Sequence, residues 1–475
     1  MMTTHSAPRR PGNTNGHDSA HEDDAPREPV YLASQLASIC DVDLKTIHNW
    51  CDRNDDPEAP AELECFRTPG GHLRFKHSSV LRFLTRWGYP IPNELLQDRP
   101  HALMVEPDDN ERRRLIAALG LVRPGDEPAP PTDAAELPTR VASLPKDAPE
   151  NTLGLWATPR YYLHLWDDPH AALVALGERT GAGAPPDLAV VTLPMPGLDA
   201  KAWIHTARTH VGEESPNFVI LTSGGEEAGA IASEKGVVGV VPRTRVGELR
   251  TLLDSQAQQL LARVNERNTA ARSGQPRRRI PIAPKEPIFV ASQVANIWNV
   301  DLKTVHNWVE RGDMEAFRTP GRHLRVRRRS LLHFLRRYNM AIPQDLVSET
   351  PKVMLLTQDA QSTDRLRGDL ARFFDVIVQP DLVAGLADIG TRSAGANLID
   401  AVVVSLPAPG VQEDRWLSAL LRHPDTRYTR IVVIGGSEAQ QRHWQELGVL
   451  ATVQRENLDQ VTPVLEKALG LTARS

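Results

Sequence analysis

Cysteine is scarce in this chain of 475 residues: there are three, Cys40, Cys51 and Cys65, an odd number with no CxxC spacing. That count argues against a disulfide framework and against a structural zinc site. Aromatic residues make up 5% of the total, and only 40% of residues are hydrophobic, beside 38 prolines. Polar connections must therefore separate the folded parts. No apolar run approaches the roughly eighteen residues that a bilayer crossing needs, and Met1–Arg27 lacks the apolar stretch of a secretory signal. The protein is expected to be cytoplasmic and to have no membrane partner, with residues 1–27 a disordered leader. Neither charge sign is in great excess: 55 Lys and Arg face 60 Asp and Glu, a formal net charge of −5. Such a balance excludes a polybasic coat and argues at first against nucleic acid.

What the chain does have is a duplication. Glu28-Pro29-Val30-Tyr31-Leu32-Ala33-Ser34-Gln35 reads again as Glu286-Pro287-Ile288-Phe289-Val290-Ala291-Ser292-Gln293. Asp43-Leu44-Lys45-Thr46-Ile47-His48-Asn49-Trp50 returns as Asp301-Leu302-Lys303-Thr304-Val305-His306-Asn307-Trp308, an offset of 258. From Arg67 and Arg318 onward the offset is 251, so seven extra residues lie within Asn54–Glu62 of the first copy. Downstream, Pro186–Gly197 matches Ile399–Gly410 at an offset of 213. Each half is thus a small module followed by a longer α/β one, and the length suits three or four domains at roughly 100–200 residues each.

In the second small module, Val294, Ala295, Ile297 and Trp298 follow helical spacing, Asn299-Val300 makes a turn, and Asp301 caps a second helix with Val305, Trp308 and Val309 on its apolar face. Lys303, Thr304, His306 and Asn307 are left facing outward. Phe317–Val326 reads as two short strands around a Pro-Gly turn, and Ser330–Tyr338 as a closing helix. This order, with its Arg-Thr-Pro-Gly-x-His-x-Arg stretch, resembles the MerR-like and excisionase-type winged helix-turn-helix domains. The resemblance implies that the second helix enters the major groove of double-stranded DNA while the wing follows the backbone. Asn307 and Lys303 then offer donors to base edges, Thr304 and His306 reach bases or phosphate, and Arg318, Thr319, Arg322, His323 and Arg325 supply the wing. The matching positions of the first module are Lys45, Thr46, His48, Asn49, Arg67, Thr68, His72 and Arg74.

The two modules differ in charge. Residues 286–337 carry ten basic and five acidic side chains, a net +5, whereas residues 28–86 carry seven and nine, a net −2. Since phosphate neutralisation supplies most sequence-independent affinity, the second module should be the stronger binder. Cys40 and Cys51 align with Trp298 and Val309 and are expected to pack in a core.

The longer modules open with apolar runs, His101–Glu106 and Lys352–Thr357. The helix 112–119, the strands around Val190 and Val403, strands at 218–221 and 431–434, strands at 237–241 and 449–453, and closing helices from Gly247 and Leu458 continue a β-α alternation. This pattern resembles the receiver domain of two-component response regulators, a flavodoxin-like fold. The resemblance implies an acidic pair after the first strand, a phosphoacceptor aspartate after the third, a hydroxyl after the fourth and a lysine after the fifth. Here the first copy has Glu106-Pro107, Thr192, Thr222 and Arg243, and the second has Thr357-Gln358, Ser405, Gly435 and Arg455. Thr192 and Ser405 are thus degenerate phosphoacceptor positions, and aspartyl phosphorylation is not expected in either copy. The resemblance also suggests association through the last strands and helices, near 240–260 and 453–469.

The expected architecture is an internally duplicated α/β chain with small winged helix-turn-helix modules and two flavodoxin-like receiver-type domains. Its parts are a leader at 1–27, a first winged module at 28–98, a first receiver-like domain at 99–268 with a Pro-rich insertion around 121–152, a basic linker at 269–284, a second winged module at 285–348 and a second receiver-like domain at 349–475. The expected function is sequence-specific binding of double-stranded DNA by a nucleoid-associated transcriptional regulator. Receiver-like domains would mediate homo-oligomerisation or contact with a protein partner. No catalytic residue, metal or cofactor is expected, because no phosphate-cradling loop or nucleophile triad appears. The alternative is a scaffold or localisation factor in which the receiver-like domains bind proteins, a reading favoured by the acidic first module.

Overall fold

The computed structural model describes residues 29–52, 63–127, 152–273 and 287–469, apart from 69, 90, 225, 320–321, 339, 341–342, 344–345, 347–349, 394–397 and 409–411. The expected leader, most of the Pro-rich insertion and most of the basic linker lie outside the described residues.

The first small module runs β1 (Val30–Leu32), α1 (Ala33–Cys40), α2 (Leu44–Asp52), β2 (Phe66–Arg67), β3 (Leu73–Lys76) and α3 (His77–Arg86). Its strands form an antiparallel sheet of order β1-β3-β2. The helix-helix turn needs a left-handed residue, supplied by Asp41 at φ 51°, and short Asx side chains are among the few that tolerate that region. Leu36, Ile39, Cys40, Ile47 and Trp50 close the core beneath it.

The first α/β unit comprises β4 (His101–Val105), α4 (Asp109–Leu119), β5 (Gly154–Ala157), β6 (Tyr162–Trp166), α5 (Pro169–Gly181), β7 (Leu188–Leu193), α6 (Ala200–Val211), β8 (Asn217–Thr222), α7 (Glu226–Ala232), β9 (Val237–Pro242) and α8 (Val246–Ser273). Five strands are parallel in the order β6-β4-β7-β8-β9, with β5 antiparallel on the β6 edge. Every residue of β4 and β7 is buried, as expected of central parallel strands covered on both faces.

The second half repeats the plan. Its small module is β10 (Ile288–Val290), α9 (Ala291–Ile297), α10 (Leu302–Glu310), β11 (Phe317–Arg318), β12 (Leu324–Arg327) and α11 (Arg328–Arg337), with sheet order β10-β12-β11. Its α/β unit is β13 (Lys352–Leu356), α12 (Ala360–Leu370), β14 (Asp375–Gln379), α13 (Leu382–Ser393), β15 (Ala401–Ser405), α14 (Glu413–Arg422), β16 (Arg430–Ile434), α15 (Glu438–Leu447), β17 (Ala451–Val453) and α16 (Val461–Leu469). The parallel order β14-β13-β15-β16-β17 is the flavodoxin-like 2-1-3-4-5 arrangement.

The duplication is legible in hydrogen bonds. Trp203 Nε1 donates to Pro169 O and Trp416 Nε1 to Leu382 O, both at 2.9 Å. Asp187 accepts the backbone N–H that opens β4, at 2.8 Å, and Asp400 the one that opens β13, at 3.0 Å.

Two elements absent from the sequence-based outline, the second strand and second helix of each α/β unit, hold the molecule together. Helix α5 packs on α13 so closely that a Cβ on Gly177 would lie 1.8 Å from Ala387 O, and one on Gly390 1.9 Å from Val174 O. Gly177 and Gly390 are repeat counterparts, as are Val174 and Ala387, so the two close approaches are related by a local twofold axis. Thr391 Oγ1 donates to Gly177 O at 3.0 Å and lies 2.7 Å from His210 Nε2. One apolar core runs through the seam, from Leu173, Leu176 and Trp203 to Leu386, Ile389 and Trp416. The chain thus pairs its own α/β units through their second helices, a surface different from the expected ones near 240–260 and 453–469. Helix α8 also extends to Ser273, past the expected domain boundary at 268.

Candidate nucleic-acid interface

The second helix of each small module is set by an aspartate cap. Asp43 Oδ1 accepts the Thr46 N–H at 2.6 Å, and Asp301 Oδ1 accepts the Thr304 N–H at 2.7 Å. Hydrogen bonds from the Thr46 and Thr304 backbones hold both carboxyls below the usual range. This cap presents the first two helical turns outward. Lys45, His48 and Asn49 on α2, and Lys303 and Asn307 on α10, are exposed, whereas Thr46, Thr304 and His306 are half-buried.

The hairpin that follows is built by its threonine. Thr319 exchanges backbone hydrogen bonds with its neighbours: its N–H donates to His323 O at 3.0 Å and its carbonyl accepts from Arg322 N at 2.8 Å. Its hydroxyl accepts the His323 N–H at 3.2 Å. Thr68 repeats all three contacts with His72 and Gly71. Arg322 sits at φ 59°, where the first module has Gly71 at φ 74°, so an arginine occupies a position that favours glycine. Arg67, His72, Arg318, Arg322 and His323 are exposed along this turn. Arg318 Nη1 donates to Arg322 O at 3.3 Å, as Arg67 Nη1 does to Gly71 O at 3.2 Å.

Two of the expected contacts have other surroundings. Thr319 is only 1% exposed and faces the turn it closes. Arg325 is half-buried on β12, near enough to Cys40 and Tyr89 of the first module for its charge to act on both groups. Arg74, its counterpart, is half-buried too. The structure therefore groups Lys303, Asn307, Arg318, Arg322 and His323 as the exposed set of the second module, with Thr304 and His306 half-buried beside them.

The ends of the parallel strands hold the positions compared above with a receiver's acidic pocket. Glu106 is fully buried, 3.5 Å from the Arg243 guanidinium. Burial pushes its carboxyl up, against the opposing pull of the Asp108 N–H and Arg243. Thr192 is fully buried beside this pocket. In the second unit the buried Thr357 hydroxyl accepts the Asp359 N–H at 3.2 Å, and Ser405 is half-buried. The neighbouring carboxylates have structural partners: Asp108 and Asp359 cap α4 and α12, and Asp109 pairs with Arg112 and Arg113.

Sequence spacing gave no hint of one further cluster. Glu178 of α5 meets His423 and Asp425 of the other α/β unit, with ligand-type atoms all within 4.8 Å. His423 stacks on Trp166 at 4.8 Å, which ties this trio to the seam between the units. The cysteines are free thiols, and Cys40 is fully buried, with its thiol pushed up by burial. Among the described residues no helix is long and apolar enough to cross a membrane.

Residues 291–339 match a helix-turn-helix domain family. That match supports DNA binding by the second small module. None of the curated proteins matches the chain. Among solved structures, the chain is similar to a response regulator receiver domain protein from Clostridium thermocellum, at 12% identity over 26% of this chain and 96% of that one, with a TM-score of 0.23. It is similar to the phosphorylated cyanobacterial phytochrome response regulator RcpA at 20% identity over 26% and 96%, TM-score 0.22. A probable two-component system response regulator/GGDEF domain protein matches at 12% identity over 78% and 99%, TM-score 0.23. The flavodoxin-like description rests on the strand order and not on these similarities.

Proposed function

We propose that this protein binds double-stranded DNA sequence-specifically and regulates transcription through its two helix-turn-helix modules. The observation that carries this reading is the aspartate-capped α10, which presents Lys303 and Asn307 outward next to a hairpin that exposes Arg318, Arg322 and His323. An amide and an ammonium at a helix start suit base edges, and guanidinium groups on a turn suit phosphates. The +5 balance of residues 286–337 favours the second module as the main source of affinity. The first module, at −2, acts as the weaker reader.

The α/β units serve as receiver-like bodies that work without phosphorylation. Neither Thr192 nor Ser405 offers a carboxylate on which an acyl phosphate could form, and Glu106 is engaged by Arg243. They act as the rigid centre that joins the two DNA modules, which raises the effective concentration of each for a neighbouring half-site.

Gel shifts on chromosomal fragments test this reading. Asn307→Ala should cost about 1–3 kcal/mol at preferred sites if it reads a base, with circular dichroism unchanged. Equal binding by wild type and by the Lys303→Ala, Asn307→Ala double variant would contradict it. Incubation with acetyl phosphate and Mg²⁺ should give no hydroxylamine-labile phosphate on the full chain, and such an adduct would refute phosphorylation independence.

A further inference from the structure

The two small modules touch each other through different surfaces. Ile288 of the second module is 5% exposed and packs into the core of the first. The Phe317 ring meets Tyr89 edge-on at 4.9 Å, and Arg327 Nη2 donates to Gly88 O at 2.8 Å. The contact is therefore heterologous: a sheet face of one module covers the surface around Cys40, Gly88 and Tyr89 of the other. Because the modules are repeats, each surface recurs once elsewhere in the chain. The counterparts of Ile288, Phe317, Arg325 and Arg327 are Val30, Phe66, Arg74 and Lys76. There Val30 is 48% and Phe66 43% exposed. The counterparts of Cys40 and Tyr89 are Trp298 and Met340, and both are half-buried. Among the described residues, the internal contact thus leaves a second copy of each of its two surfaces, one exposed at Val30 and Phe66 and one half-buried at Trp298 and Met340.

We propose that a second copy of this chain covers them, its Val30–Phe66 face docking on Trp298 and Met340 of its neighbour in a head-to-tail repeat of the internal contact. A heterologous contact that does not close into a ring propagates. The α5–α13 pairing is the opposite case, since it closes on itself within one chain. The charges favour the arrangement, because a module of net −2 would meet one of net +5. Arg74 would face the Trp298 indole where Arg325 faces Cys40, and an indole is the best aromatic partner for a cation. Lys303 and Asn307 lie outside the contact. The inference therefore goes beyond the DNA-binding reading and does not depend on it.

Sedimentation equilibrium of the full chain without DNA tests it. The average mass should climb with concentration from the 52.5 kDa of one chain past that of two. Phe66→Glu and Met340→Glu should each hold the protein at one chain. An equimolar mixture of the two should recover association but stop at two chains, since each variant keeps the one surface that the other lacks. Phe66 is exposed, so F66E should keep the wild-type melting temperature, and V30E gives a second variant of that face. If M340E melts early, Met340→Gln takes its place in the mixture. The proposal is overturned by a wild type that stays at one chain throughout, by F66E and V30E associating as wild type does, or by a mixture that fails to reach two chains.

Discussion

Glu106 shows how a single side chain can record what a fold has kept. It is fully buried, and burial raises its carboxyl despite Arg243. A raised acid weakens the fold as pH rises, because the folded state holds its proton more tightly than the unfolded chain does. The cost is absent below the ordinary carboxylate range and complete above the raised value. Glu106→Gln keeps an oxygen for the Asp108 N–H and should raise the melting temperature at neutral pH, with no gain in acid. A lower melting temperature at neutral pH would show that the Arg243 pair outweighs burial. The hairpin makes a different point. Arg318→Ala should flatten the salt dependence of DNA binding by about one unit of slope at unchanged stability. Thr319→Val should lower the melting temperature instead, since Thr319 holds the turn. A salt slope unchanged in Arg318→Ala would remove that side chain from the phosphate contacts.

Among the elements, α5 and α13 govern the architecture, and they were the hardest to read. Helix α5 is buried on nearly all sides from Pro169 to Gly177, so it lacks the polar stripe that reveals an amphipathic helix. Strand β14 fails for the converse reason: it is an edge strand with two exposed residues, and its apolar signal is short. The central strands β4, β7, β13 and β15, fully or almost fully buried, stand out because apolar residues dominate them. In the small modules the two helices, the hairpin strands and the closing helix were legible, since a capping aspartate and a Pro-Gly pair each leave a local mark, but the short first strands β1 and β10 were not. Gly177 and Gly390 stand at matching repeat positions, and that coincidence was the available signal for the seam. Gly177→Ala or Gly390→Ala should each cost about 3 kcal/mol or more, because the opposing atom is a backbone carbonyl that cannot move aside. Gly368→Ala is the control. In α12 its added methyl meets open space, and it should stabilise by about 0.5–1 kcal/mol. Denaturant melts of the three variants compare them directly, and equal stabilities would contradict the close packing.

At the scale of the whole molecule, the −5 net charge is a sum over unlike parts. A basic small module and an acidic one are attached to two α/β bodies joined by a local twofold axis. Lys303, Asn307, Arg318, Arg322 and His323 stand exposed, whereas Thr319 is buried and Arg325 half-buried. Thr319 and Arg325 share the repeat pattern of the wing, yet the fold turns one into its own hairpin and the other toward the neighbouring module, a distinction that only tertiary packing makes. Selection of bound duplexes from a random-sequence pool by the full chain tests most directly whether both small modules read DNA. An enriched motif is expected, and Asn307→Ala should relax the preference at one position while Asn49→Ala has the smaller effect. A pool that emerges without sequence preference would contradict this expectation.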